Sequence, residues 1–519
     1  MKKEYLVSAK EMQQYDHNTI EKIRIPACVL MERAAYEVAM ETLSFLQDIE
    51  DAKILIMAGN GNNGADGVCT GRILMEYGVT ADICLIKKDP PYAEELQRQL
   101  EIADYYHLKQ VSFSDVRLQE YDLLIDAMFG VGLNREITGT IKEIIESINM
   151  EKIPVISVDI PSGIDAASGK ILGCAVKADI TVTFGFYKRG QWFYPGRMYC
   201  GKLKKVKIAI DETGFFGEKP RMFTYLPKEQ TQSKDRPRDP MGNKGSFGKV
   251  FLVAGRASTT GAAILCASCA LRSGCGMVAV FTQQENKEIF LQSIPEIMVE
   301  TYTNEESFIS VAEKIQKWMD WSDTVVIGCG LGRDERAYDM VKYVLHHADF
   351  PVVCDADALQ LIACNEELTE EIQQYKRRQK NDKNEIIFTP HPGELAALSR
   401  CGIADIKEDR MVVIRKILEK YPVILAAKDA DSLVCSQDHD SYLNIPGNDG
   451  LSTAGSGDVL AGLTASMVAQ GIRNNMTTFE SVCKSVYLHG KAADVLAEES
   501  GKSFLVASDL IEAYKYILE

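Results

Sequence analysis

The sequence predicts an α/β protein of two domains, each built on a parallel sheet. Three observations point there. Short apolar runs alternate with segments of helical spacing along the chain, and such alternation gives parallel strands joined by crossover helices. Several of these runs end in loops carrying glycine or an acid, where ligands collect in such sheets. One polar, proline-punctuated stretch divides the 519 residues, a length with room for two hydrophobic cores.

Composition narrows the function. A formal charge of −16 argues against nucleic acid or an anionic membrane as a partner. The fourteen cysteines are scattered through apolar runs rather than spaced as a disulfide framework. Cys266 and Cys269 lie in the small-residue pattern GAAILCASCAL, with no second pair to complete a zinc site, so core packing is expected of them. The N-terminal MKKEYLVSAKEM lacks an apolar signal core, and no apolar run is long enough for a bilayer. A soluble protein of a reducing cytoplasm, acting on small molecules and forming a homo-oligomer, is the expectation.

Taken in order, residues 8–47 read as helices. The run 53–58, KILIMA, is a buried-strand pattern leading into GNGNNGADG and a helix over 68–77. Strand, Gly/Asn-rich loop and helix form the layout of a nucleotide- or phosphate-binding crossover. It is neither the six-position dinucleotide fingerprint nor a P-loop, since no Gly-Lys-Ser/Thr follows. Asn62, Asn63 and Asp66 offer oxygens to a ligand, or else cap their own turn. Further strands are expected at 83–87, 123–126, 155–159, 180–184 and 204–210. Asp126 and Asp159 stand at two of the strand ends. Asn63, Asp126 and Ser162 are hard oxygen ligands suited to an alkali or alkaline-earth cation. Asp159 remains free as an acid or base, with Lys188 to stabilise it or share a proton.

These residues carry a resemblance. GNGNNGADG, DAMFGVGLNRE, DIPSGID and TFGFYKRG resemble the four signature blocks of the NAD(P)H-hydrate epimerase family, and LMERAAYEVA resembles its opening helix. The resemblance covers about residues 8–212 and implies a Rossmann-like fold. It implies that hydrated NADH or NADPH lies on Asn62, Asn63, Gly64, Ala65 and Asp66, on Gly130, Val131, Gly132, Leu133, Asn134, Arg135 and Glu136, and on Asp159. Potassium would be held by Asn63, Asp126 and Ser162, and Asp159 and Lys188 would be catalytic. Ala65 stands where the family usually has glycine. The first domain is placed at 1–215, a linker at 216–235 and the second domain at 236–519.

The second half restarts the pattern, with strands at 249–254, 277–282, 324–328, 351–355 and 386–389. The run 423–428 follows, paired through a β return with 441–445, and three helices close the chain. The strand ends read GRASTTG, GCGLGRD, DADAL, PHPGE and KDADS. Residues 448–463, NDGLSTAGSGDVLAGL, hold four glycines among small residues and run straight into an apolar helical pattern. Glycines there let backbone N–H groups close around an anion, which the helix dipole favours. Asp458, in the first turn, either caps that helix or handles a proton or metal ion. His391 between two prolines and Lys428 at a strand end read singly as surface residues. Together these features make a nucleotide site with a proton-handling carboxylate, as a phosphoryl-transfer enzyme of the ribokinase type requires.

The order GNKGSFG, VAGRASTTGAA, ALRSGCGMV, GCGLGR, DADAL, TPHPGE, KDADSLV and GLSTAGSGDVLAG resembles the ADP-dependent NAD(P)H-hydrate dehydratases, a ribokinase-like family, over about residues 236–515. The resemblance implies that the hydrated nicotinamide contacts Ala263, Gly330, His391 and Asp458. The nucleotide would lie on Lys428, Asp429, Ala430, Asp431, Ser432 and Gly457, with Asp458 catalytic. ADP is the expected co-substrate, ATP the alternative donor and Mg2+ the accompanying ion. Asp429 for glycine, Ser432 for threonine and Asp449 for a frequent proline depart from the family pattern. The two resemblances imply one repair activity, epimerising hydrated NAD(P)H and dehydrating its S form with ADP to give AMP and phosphate. The rivals are a ribokinase-like small-molecule kinase with an accessory nucleotide-binding domain, and a non-catalytic nucleotide-binding module.

Overall fold

The computed structural model describes residues 2–47, 49, 51–86, 91–226, 240–379 and 384–518. Residue 87 of one expected strand, 227–235 of the expected linker and 236–239 of the expected second domain lie outside them. The chain forms two compact units, Tyr5–Met222 and Phe223–Glu519 with Met1–Glu4.

The first unit holds seven parallel strands in the spatial order Lys109–Val111, Thr80–Leu85, Lys53–Ala58, Leu123–Ala127, Val155–Val158, Ile180–Phe184, Lys202–Val206. Alternate side chains of the central strand enter opposite layers, because successive Cβ atoms point to opposite faces. Ile54 and Ile56 pack in one core with Ala34, Ala35 and Val38 of helix Ala27–Leu46. Leu55 and Met57 pack in another with Ile144, Ile145 and Ile148 of helix Thr140–Met150. From Lys53–Ala58 the chain first builds outward to one edge, then returns to Leu123–Ala127 and builds toward the other. The carboxyl ends of these two strands therefore flank the crevice where such a sheet binds ligands.

The second unit repeats this order: Met298–Tyr302, Met277–Gln283, Lys249–Val253, Thr324–Ile327, Val352–Cys354, Ile386–Phe388, Ile424–Ala427, all parallel. Leu433–Cys435 and Ser441–Leu443 then add antiparallel strands. The final helices are Ser456–Arg473, Thr478–Ser500 and Ala507–Ile517. Helix Ser456–Arg473 crosses Thr260–Arg272 where Gly462 meets Cys266; a Cβ on Gly462 would lie 2.1 Å from the Cys266 carbonyl oxygen. Cys266 and Cys269 are fully buried free thiols inside this packing. Gly462→Ala is accordingly expected to cost about 1–3 kcal/mol of stability through overpacking. Urea melts of the two proteins measure it, and coincident curves would refute the close-contact argument.

Several elements differ from expectation. The helix after KILIMA spans Asn62–Glu76 and starts behind an extended Gly61, so the supposed loop 62–66 forms its first turns. Lys3–Val7 is a strand whose Leu6 and Val7 lie beside Tyr187 and Lys188. Met222–Tyr225, inside the expected linker, is also a strand: Thr224 is buried and its hydroxyl donates to the Leu443 carbonyl at 2.7 Å. These short runs lack enough residues to display a period. Among the described residues no helix is long and apolar enough to cross a membrane.

Candidate active sites

In the first unit the loops leaving Lys53–Ala58 and Leu123–Ala127 touch. A Cβ on Gly59 would sit 1.8 Å from the Met128 carbonyl oxygen, so only glycine lets the two strand ends close up. Beside them opens a cavity of about 650 Å³. Asn62, Asn63 and Asp66 line it from the helix start, Gly130, Val131, Gly132, Leu133, Asn134 and Arg135 from the facing loop, and Asp159 from a third strand end. Three expected ligands do not line it. Gly64 packs its backbone on Gly59, where a Cβ would come within 2.0 Å of a carbonyl oxygen. Ala65 is wholly buried with Met31 and Val68, so its extra methyl is a core atom. Glu136 is exposed outside the cavity.

Asp159 has φ +66°, the left-handed region that non-glycine residues seldom occupy. The surroundings hold it there. Its N–H donates to the Val182 carbonyl at 2.8 Å, and its own carbonyl accepts from Gln191 Nε2 at 2.7 Å. Its carboxylate accepts from the Phe184 N–H at 3.0 Å and forms a buried ion pair with Lys188. Lys188 is fully buried behind Asp159, not on the cavity wall, and also donates to Thr183 Oγ1 at 2.9 Å. Burial pushes its ammonium below the ordinary lysine range, an effect that the Asp159 carboxylate opposes.

A third acid, Asp16, enters the cavity from helix Ala9–Glu21. Ser8 and Glu11 cap that helix reciprocally, and Arg189 grips Glu11 at 2.9 and 2.6 Å. Burial, then the Asp159 charge, raises the carboxyl pKa of both Asp16 and Asp66. Sequence reading missed Asp16 on this wall and Gln191 behind Asp159, because nothing local marks a helix face or a three-residue turn as belonging to the site.

Below the cavity, Asp126 and Ser162 are fully buried. Asp126 Oδ1 accepts from Ser162 Oγ at 2.5 Å, while Oδ2 accepts from Ser157 Oγ at 2.9 Å and the Ser162 N–H at 2.8 Å. Burial raises its pKa against these hydrogen bonds, and among the described residues no cationic side chain bonds to it. Asn63 Nδ2 is buried without a hydrogen-bond partner, and the same amide lies against Gly130.

In the second unit the hub is Asp355, a residue of DADAL that sequence reading left without a role. Lys428 Nζ donates to its Oδ1 at 2.9 Å and Thr389 Oγ1 to the same oxygen at 2.7 Å. Ligating atoms of Asp355, Asp458 and Cys329 all lie within 4.8 Å of one another. A Cβ on Gly457 would stand 3.1 Å from Lys428 Nζ, so the helix mouth faces the ammonium. Burial opposes the charge on Lys428, but Asp355 and Glu394 outweigh it and raise its pKa.

The N-cap of helix Ser456–Arg473 is Gly455, with no side-chain cap. Asp458 therefore does not cap the helix, and the first-turn N–H groups are left for an anion. Its half-buried carboxyl is pushed up to about 6, first by burial and then by Asp355. That value suits a base near neutral pH.

The other expected contacts divide. His391 caps helix Pro392–Ser399: Nδ1 accepts from the Gly393 N–H at 3.0 Å, which places the proton on Nε2, 3.3 Å from Glu394 Oε1. Its side chain stays 56 % exposed, so the Nε2 edge remains reachable. Glu394, also missed, is pushed up to about 7 by burial. Ala263 is wholly buried against Gly255, and its side chain supports the helix rather than offering contact. Gly330, at φ +60°, is buried too, its carbonyl accepting from Thr259 Oγ1 at 2.7 Å. Asp429 and Ala430 are exposed and Ser432 half-buried.

Residues 250–515 match the family described as NAD(P)H-hydrate dehydratase, and residues 27–190 match the YjeF-related protein N-terminus. The bifunctional NAD(P)H-hydrate repair enzyme Nnr of Moorella thermoacetica is 32% identical, covering 99% of this chain and 96% of its own. The enzyme of that name from Escherichia coli is 31% identical, with 89% and 84% covered. Among solved structures, an ADP/ATP-dependent NAD(P)H-hydrate dehydratase from Bacillus subtilis, co-crystallized with ATP/Mg2+, is 25% identical. It covers 54% of this chain and 94% of that chain, with a TM-score of 0.44.

Proposed function

The chain belongs to the family of bifunctional NAD(P)H-hydrate repair enzymes, and from that premise we propose how its two units divide the repair. Hydration of NADH or NADPH places a hydroxyl on the reduced ring next to its nitrogen, in R and S forms. The first unit interconverts the two forms, and the second dehydrates the S form with ADP, giving AMP and phosphate.

The observation that carries the dehydratase assignment is the meeting of Asp458, Lys428 and Gly457 at one uncapped helix mouth. Asp458 takes the hydroxyl proton as the hydroxyl oxygen attacks the β-phosphorus of ADP and the bond to AMP breaks. The Gly455–Gly457 N–H groups and Lys428 hold the transferring phosphoryl group. Phosphate then leaves the ring carbon under the push of the ring nitrogen, and loss of the neighbouring ring proton restores the dihydronicotinamide. In the first unit Asp159 serves as the acid or base at the ring hydroxyl during epimerisation, with the Lys188 ammonium paired to it.

The donor sets bear on the ions. Asp126, fully buried and bonded only to hydroxyl and backbone N–H donors among the described residues, and the oxygens of Ser162 and Asn63 fit potassium, which would neutralise that carboxylate and steady the cavity floor. Cys329, Asp355 and Asp458 do not fit magnesium, since one donor is a buried thiol and Asp355 already binds Lys428. Magnesium is therefore expected to arrive on the nucleotide phosphates. The free cysteines support a reducing compartment.

Absorbance at the reduced-nicotinamide band tests the whole reading. Protein is mixed with R/S NADH-hydrate and magnesium, with ADP or ATP, and with potassium or tetramethylammonium. The expected result is nucleotide-dependent recovery of both epimers, with the R share slowed when potassium is absent. Recovery that stalls at the S share would overturn the epimerase assignment. Absence of nucleotide-dependent recovery would overturn the dehydratase assignment and favour the kinase.

A further inference from the structure

The exposed carboxylate of Asp429 poses an electrostatic problem. A carboxylate on a loop expected to receive an anionic nucleotide repels it, and Asp431 adds a second one two residues on. Lys428 does not neutralise Asp429, because its ammonium is committed to Asp355 at 2.9 Å.

The missing charge comes from Arg410, the first residue of helix Arg410–Lys420. Nη1 donates to Asp429 Oδ2 at 3.1 Å, and Nη2 donates to the Asp431 carbonyl at 2.5 Å and lies 2.7 Å from Asp431 Oδ1. The Arg410 side chain is 12 % exposed, whereas that of Asp429 is 43 % exposed. A cation in the first turn of a helix opposes the helix dipole, so this position is unfavourable unless the facing carboxylates compensate. The loop itself is closed by Asp429 and Ser432. The Asp429 N–H donates to Ser432 Oγ at 3.1 Å, Ser432 Oγ donates to the Asp429 carbonyl at 2.9 Å, and the Ala430 N–H donates to Asp429 Oδ1 at 2.8 Å. One guanidinium thus ties the two carboxylates of this self-closed loop together and offsets their charge.

We propose that Arg410 is a positioning residue for the nucleotide: by clasping Asp429 and Asp431 it removes the repulsion that Asp429 would otherwise exert on ADP. This rests on the reading that the 428–432 loop faces the nucleotide. Removing Arg410 alone leaves both carboxylates without their cation, while removing Arg410 and Asp429 together restores the parent's net charge at the loop.

The test compares Arg410→Gln, Asp429→Gly, their double variant and Lys428→Met in the full chain, with the epimerase rate as a folding control. Arg410→Gln is expected to raise the KM for ADP roughly tenfold, with kcat at saturating ADP changing less than about twofold. High salt should narrow that gap, since exposed charges are screened. The double variant should return KM to within about threefold of the parent, and Asp429→Gly alone should lower it. An unchanged KM in Arg410→Gln overturns the proposal, as does a double variant as weak as Arg410→Gln. If Arg410→Gln does not fold, Asp429→Gly decides: a lower KM supports the clasp, and an equal or higher one overturns it. Lys428→Met separates the two readings. If it raises KM while the clasp variants do not, the clasp alone is wrong; if it too leaves ADP kinetics unchanged, the loop does not face the nucleotide.

Discussion

Asp458→Asn is expected to lower ADP-dependent dehydration about 10³-fold while leaving epimerisation intact, because the substitution keeps size and polarity but cannot accept the hydroxyl proton. The effect should appear in kcat and kcat/KM together, as for an interaction made in the transition state. The pH profile supplies an independent check. The base must be ionised, and its carboxyl is pushed up to about 6 by burial and Asp355. In the parent, kcat/KM for the S form should therefore rise about tenfold per pH unit below 6 and level off above it. The substitution should abolish that limb. Dehydration by Asp458→Asn at near the parent rate would remove Asp458 from the chemistry.

In the other unit, Asp159→Asn should slow exchange between R and S forms about 10²–10³-fold, while dehydration of pure S form serves as the internal control. Lys188→Met acts differently. It leaves a carboxylate buried beside the cavity without its ammonium, so a loss of about 3–5 kcal/mol in stability accompanies the loss of epimerisation. The double variant removes both charges and should regain part of that stability without regaining activity. Urea melts and the rate of R-form consumption measure the two effects. Equal stability of Lys188→Met and the parent would mean that the pair does not hold the strand end. Undiminished exchange in Asp159→Asn would assign the proton transfer to another acid of the cavity, Asp16 or Asp66.

Much of this was legible in the chain. KILIMA, KVFLVA and the other buried strands show themselves because both faces are covered, so every position is apolar. Strand ends bearing Asp159, Lys428 and the GSGD helix mouth stand out because glycine or an acid interrupts an apolar run. The extent of the Asn62–Glu76 helix was not legible. Its first turns are rich in Asn, Gly and Asp, which favour turns by local propensity, and only the helix's packing on the sheet overrides that preference. Gly64 and Ala65 show the same override: a loop would expose them, and a helix turns them inward.

By itself the sequence determined two α/β halves, the strand ends where polar and acidic residues interrupt apolar runs, and the family the ordered blocks belong to. The tertiary structure alone decided that both units share one strand order, although no sequence repeat relates them. It also decided that Asp355 and Lys428, 73 residues apart, form the hub of one site, that Asp16 closes the other cavity, and that Arg410 answers for Asp429. Periodicity and motifs record what each residue needs from its neighbours along the chain. Which side chains face one another across strand ends depends on the order in which strands join the sheet, and that order is settled by packing over the whole domain.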